Sequence, residues 1–149
     1  MNDVTFYKNQ LNEIVPRYVG KVFPVGEIPL IGLDIIKHVH GCERVLVSCA
    51  TLGEEFDRLL RQTQLTDMAG AVILDTLAGE YVEEFCNKQD TQIIGVPPYG
   101  FSPGYGDYPL SVNRDILNML NAQKAIGLCV TDEFILTPQK SITRITGIL

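Results

Sequence analysis

Residues 99–110, Tyr-Gly-Phe-Ser-Pro-Gly-Tyr-Gly-Asp-Tyr-Pro-Leu, constrain the fold more than any other stretch. They hold three of the six tyrosines, three of the thirteen glycines and two of the eight prolines. Such a run excludes regular helix or strand and separates a helix-rich first part from a β-rich end. Pro103-Gly104 predicts the centre of a type II turn, with proline fixing φ and glycine in the left-handed position. Tyr99, Tyr105 and Tyr108 set flat, amphipathic rings around it. With bare amides, the Ser102 hydroxyl and the Asp107 carboxylate, the segment suits a small ligand with an aromatic ring and polar edges. A surface loop joining a strand to a helix is the alternative reading.

The apolar segment Arg-Val-Leu-Val-Ser-Cys-Ala (44–50) predicts a buried strand, and 18–25 a strand ending at Pro24. Helices are expected over 3–15, 31–39, 52–63, 66–87 and 112–121. Thr51 and Glu54 are spaced as a capping box for the third, and Thr66 or Asp67 caps the fourth. Asp75 lies in an otherwise apolar turn and needs a partner, solvent or a ligand. Residues 92–97 read as a strand leading into the loop. Strands are also expected over 127–131, 134–137 and 141–149, the last of uncertain face because Ile142, Ile145 and Ile148 do not alternate. Without regular βαβ repetition, the expectation is a single α+β domain over 1–149 with a mostly antiparallel sheet.

Several function classes are disfavoured. The formal net charge is −6 and basic runs are absent, which argues against nucleic acid and anionic membranes as partners. Apolar runs are short of a membrane span and the N-terminus lacks signal-peptide form, so the expected location is cytoplasmic. Cys42, Cys49, Cys86 and Cys129 are scattered and expected to be reduced. His38-Val-His40-Gly-Cys42 would align three metal ligands on a strand, but Gly41 fits a helix end, where those side chains diverge. No nucleophile–base pair, paired carboxylates, phosphate loop or dinucleotide fingerprint can be assembled.

Phe101-Ser-Pro-Gly-Tyr-Gly-Asp-Tyr-Pro-Leu110, followed by a helix and by Ile126-Gly-Leu-Cys-Val-Thr-Asp-Glu-Phe-Ile-Leu-Thr-Pro-Gln-Lys-Ser-Ile-Thr143, resembles the activation (reactivation) domain of cobalamin-dependent methionine synthase. Lys37–Cys42, Ala50–Gly53 and Ala71–Asp75 are similar to stand-alone bacterial proteins related to that domain, so the resemblance runs over roughly residues 30–147. It implies a compact α+β domain with an antiparallel sheet that binds S-adenosylmethionine and docks on a corrinoid protein. Such a protein supports reductive remethylation of cobalamin carried by a methionine synthase or related methyltransferase, with a flavodoxin- or ferredoxin-type electron donor.

The same resemblance implies a ligand site at Ser102, Pro103, Gly104, Tyr105, Gly106 and Asp107, with Glu133 on the acidic residue of the second motif. The chain departs from the family at three places. Gly100 replaces an arginine that holds the ligand carboxylate, Thr146 and Gly147 replace an aromatic pair, and the N-terminal part is short. These departures keep open an alternative, a non-catalytic module that docks on a corrinoid protein without binding S-adenosylmethionine. On either reading the chain is at most an accessory part of a methyltransferase system.

Overall fold

The computed structural model describes residues 3–149. The chain folds as an α+β domain around a three-stranded antiparallel sheet. Strand β1 (Arg17–Pro24) pairs with β2 (Arg44–Thr51), and β2 pairs with β5 (Ser141–Gly147). The central strand β2 is buried from Val45 onward because helices cover both faces of the sheet, which explains its unbroken apolar run.

Helices α1 (Asp3–Asn12), α3 (Gly53–Thr66) and α4 (Met68–Asp90) lie on one face. Tyr7, Leu11, Phe56, Leu74, Ala78 and Val82 pack there against Ala50. Helices α2 (Leu33–His38), α5 (Val112–Leu120) and α6 (Ala122–Ile126) lie on the other. There Ile35, Val112, Ile116 and Leu120 pack against Val45, Val47 and Ile145. A two-stranded antiparallel ribbon, β3 (Cys129–Val130) with β4 (Leu136–Thr137), forms the corner next to β5.

The face of β5 follows from period-two geometry. Thr143 and Ile145 point toward α5, whereas Ile142 and Arg144 point toward α4. Ile142 and Ile145 are three residues apart, so they serve opposite cores. Asp75, placed among apolar neighbours, pairs with Lys140 on the β4–β5 turn at 3.2 Å.

The structure corrects three expectations. Residues 92–97 are turns rather than a strand. The amides of Ile93 and Val96 bond back to Asp90 and Ile93, and Gly95 takes φ +89°. Pro97 and Pro98 lack the N–H groups that a ladder needs. The Thr51–Glu54 capping box does not form, because Thr51 is still the last residue of β2. Its hydroxyl accepts the Gly53 amide at 3.0 Å and the N-cap is Leu52. Helix α1 ends at Asn12, short of residue 15. The helix expected over 112–121 is present as α5, and Asn121, left-handed at φ +51°, separates it from the further short helix α6. Asp67 caps α4 by accepting the Gly70 amide at 2.9 Å. No helix among the described residues is long and apolar enough to cross a membrane.

Candidate functional site

The 99–110 loop is anchored to the sheet at its start. Phe101 and Ile145 exchange both backbone hydrogen bonds, each at 2.8 Å, adding one residue of antiparallel pairing beyond β5. The Ser102 hydroxyl donates to the Thr143 carbonyl at 2.7 Å. Ser102-Pro103-Gly104-Tyr105 then turns, with the Tyr105 amide bonded to the Ser102 carbonyl at 3.2 Å and Gly104 at φ +94°. This is the turn expected from Pro103-Gly104.

Tyr108 is buried, and its hydroxyl donates to the Pro29 carbonyl at 2.7 Å. Tyr105 is 57% exposed, with its ring edge-on to Phe101 at 6.2 Å. Tyr99 enters the loop at φ +61°, with its amide held by the Asn87 side-chain oxygen of α4 at 3.0 Å.

Gly106 and Asp107 face away from that turn toward α2. The Asp107 carboxylate accepts the amides of Leu33 at 2.7 Å and Asp34 at 3.0 Å, the open N-terminus of α2. These backbone donors hold its carboxyl below the usual carboxylate range. A Cβ on Gly106 would press on the Asp34 carboxylate. Both residues therefore hold the loop in place, at a distance in the chain that no local pattern reveals.

Across from Ser102, Pro103 and Tyr105 lies the segment Phe134-Ile135-Leu136, and the two together with β5 enclose an open groove of about 320 Å³. Its floor is a chain of hydrogen bonds. The Thr143 hydroxyl donates to Asn113 Oδ1 at 2.7 Å, and Asn113 Nδ2 donates to the Phe134 carbonyl at 3.0 Å. Phe134 takes φ +64°. The Arg114 guanidinium lies 4.9 Å over its ring and donates to the Thr131 carbonyl at 3.1 Å.

Of the expected site residues, Ser102, Pro103 and Tyr105 line this groove, Gly104 sits at its turn, and Gly106 and Asp107 lie behind it. Glu133 is exposed on the turn one residue before Phe134 and does not line it. Asn113, Gln139 and Thr143 line it as well. Sequence reasoning did not bring them forward, because Asn113 opens an ordinary helix and Thr143 lies mid-strand.

His38, His40 and Cys42 diverge. His38 stacks near Phe101 at 5.5 Å between ring centroids, His40 is exposed, and Cys42 lies beside Gly147. Among the described residues, no group of three or more His, Cys, Asp or Glu side chains is placed to hold a metal ion.

No family model and no curated protein matches the chain. It is similar in fold to a solved chain described as the MetH reactivation domain bound to AdoHcy. The TM-score is 0.65 at 16% sequence identity, over 96% of this chain. The chain spans 63% of that solved chain's length. The likeness fixes the architecture that presents the loop and the groove.

Proposed function

We propose that this chain is a stand-alone reactivation-type protein that binds an S-adenosyl ligand, S-adenosylmethionine in its working state, in the groove between Ser102–Tyr105 and Phe134–Leu136. The observation that carries the reading is the convergence of the two sequence motifs on one groove. Ser102, Pro103 and Tyr105 and the segment that follows Thr131 are separated by α5 and α6 in the chain, yet they line one groove. Two further lines support it. The sequence resembles the activation domain of cobalamin-dependent methionine synthase, and the fold resembles a MetH reactivation domain solved with AdoHcy.

On this reading Pro103 and Tyr105 supply an apolar wall and an exposed ring for the ligand. Ser102 holds the wall to β5. A corrinoid protein is the partner, a methionine synthase or a related methyltransferase, and a flavodoxin- or ferredoxin-type protein supplies the electron. This chain contributes placement: it holds the ligand so that the methyl group faces the partner. The protein works in the cytoplasm.

One observation favours a second reading, a docking module without the ligand. Gly100 packs close to Thr146 and the Arg144 Cβ, and the Arg144 guanidinium is turned to Asn87, Glu83 and Asp90, so position 100 supplies no cation for a ligand carboxylate. Calorimetric titration with S-adenosylmethionine separates the two. Micromolar binding abolished by Tyr105→Ala supports the first. No heat at millimolar ligand from a folded protein leaves docking alone, tested by binding to a purified corrinoid protein.

A further inference from the structure

The chemistry of the groove wall is narrower than that of an S-adenosyl ligand. Among the described residues no side chain lining it carries a formal charge. Charged residues beside the lining are committed elsewhere, Lys140 to Asp75 at 3.2 Å. Arg114 is bonded to the Thr131 carbonyl and lies on Phe134, and the Asp57 carboxylate accepts the Gln139 amide at 3.3 Å from each oxygen. The lining serine and threonine hydroxyls are bonded within the protein as well. Ser102 donates to the Thr143 carbonyl, Thr143 donates to Asn113, and the Ser141 hydroxyl lies 2.7 Å from both the Thr51 hydroxyl and the Pro138 carbonyl. What remains for a ligand is the apolar surface of Pro103, Phe134, Ile135 and Leu136, the Tyr105 ring with its hydroxyl, and one uncommitted carboxamide, Gln139.

A carboxamide presents one donor and one acceptor in a plane, which matches the adjacent amino donor and ring-nitrogen acceptor of adenine. An ammonium or carboxylate moved into an uncharged wall would lose hydration without compensation. At about 320 Å³ the groove is also near the lower end of small-ligand cavities, about 300–1,000 Å³.

Resting on the reading above, we infer that the groove recognises only the uncharged adenosine end of its ligand, with Gln139 reading the base edge, and leaves the amino-acid tail in solvent. The protein therefore does not distinguish S-adenosyl amino acids from neutral thionucleosides by affinity.

Titration of the whole chain with S-adenosylhomocysteine and with 5′-methylthioadenosine, which lacks the amino-acid tail, tests this. The expected result is affinities within about threefold of each other. Gln139→Ala is expected to weaken both about tenfold, the lower part of the range for one bidentate base contact, without moving the thermal midpoint. A tenfold or greater preference for S-adenosylhomocysteine overturns the inference and leaves the proposed function standing. Unchanged binding in Gln139→Ala removes that residue from the site and overturns the assigned base contact. Binding of neither compound overturns the inference together with the proposed ligand.

Discussion

Asp34 and Asp107 cap one another across 73 residues of chain. The Asp34 amide donates to Asp107 Oδ1 at 3.0 Å, and the Asp107 amide donates to Asp34 Oδ2 at 3.0 Å. The Leu33 amide adds a third bond to Asp107 at 2.7 Å. The exchange resembles a capping box, with the two halves coming from different elements. It ties α2 to the ligand loop, and the crowded Gly32 and Gly106, both at positive φ, let the two segments approach.

Asp107→Ala is therefore expected to lower the thermal midpoint by a few degrees and to fray α2. The pH dependence has a definite sign. Asp107 has a folded pKa below its unfolded value of about 3.8, so its contribution is present above that value. It is lost as pH falls through the lower folded value. Urea denaturation of both proteins at pH 7 should show a gap that closes in strong acid.

Gly100 is required by crowding rather than by backbone conformation. A Cβ there would press on Thr146 Oγ1 and lie 3.4 Å from the Arg144 Cβ. Thr146 is fully buried in β5 and has little room to turn. Gly100→Ala is expected to destabilise the fold by about 1–3 kcal/mol, the usual range for overpacking. Thr146→Ala in the same chain should recover much of that loss. A double-mutant cycle from urea unfolding reads the coupling between the two positions. An arginine at position 100, as in the family that the sequence resembles, would need this strand to retreat.

These two contacts mark where sequence reading stops. The Pro103-Gly104 turn, the buried strand β2 and the Asp67 cap are local features, set by a few neighbouring residues, and they were legible. The run at 92–97 has strand-like residues, but the prolines and Gly95 override them. Asp107 reads as a ligand residue because a carboxylate in a glycine-rich loop is chemically suggestive. Its use as a cap depends on a helix start far upstream, which no periodicity encodes. Gln139 and Asn113 reach the groove only because β5 and α5 meet there.

Arg144 is the largest case of hidden placement. It lies mid-strand among Ile and Thr and is 1% exposed. Its guanidinium bonds to Asn87 Oδ1, lies 3.3 Å from Glu83 and lies 3.8 Å from the equally buried Asp90. Asp90 also accepts the Tyr18 hydroxyl at 2.6 Å. Burial pushes the Asp90 carboxyl above the usual range, against the pull of Tyr18 and Arg144. Truncating one partner strands the other charge. Arg144→Ala is expected to cost about 3–5 kcal/mol. Arg144→Met combined with Asp90→Leu removes both charges and should recover most of it. Urea unfolding compares the three chains. The single variant should also loosen Tyr99, since the same Asn87 oxygen holds its amide. Tyr99 amide exchange would report this directly.

His38 gives the fold its sensitivity near neutral pH. Its ring sits against Phe101, and Nε2 is buried without a hydrogen-bond partner. Burial pushes the imidazole below its ordinary value of 6.5, partly offset by the Ile145 backbone. In the window between the folded value and 6.5, the unfolded chain therefore binds more protons than the folded one. Stability is fully present above 6.5, declines as pH falls through that window, and levels off below the folded value. The charge would form beside Phe101, the residue that pins the ligand loop to Ile145, so local opening of the loop should follow the same profile. His38→Phe is expected to flatten the stability profile over this range while keeping the aromatic contact. Denaturation at a series of pH values between 5 and 8, with the His38 ring protons followed by NMR, reads both. A slope that survives in His38→Phe would assign the titration to another group.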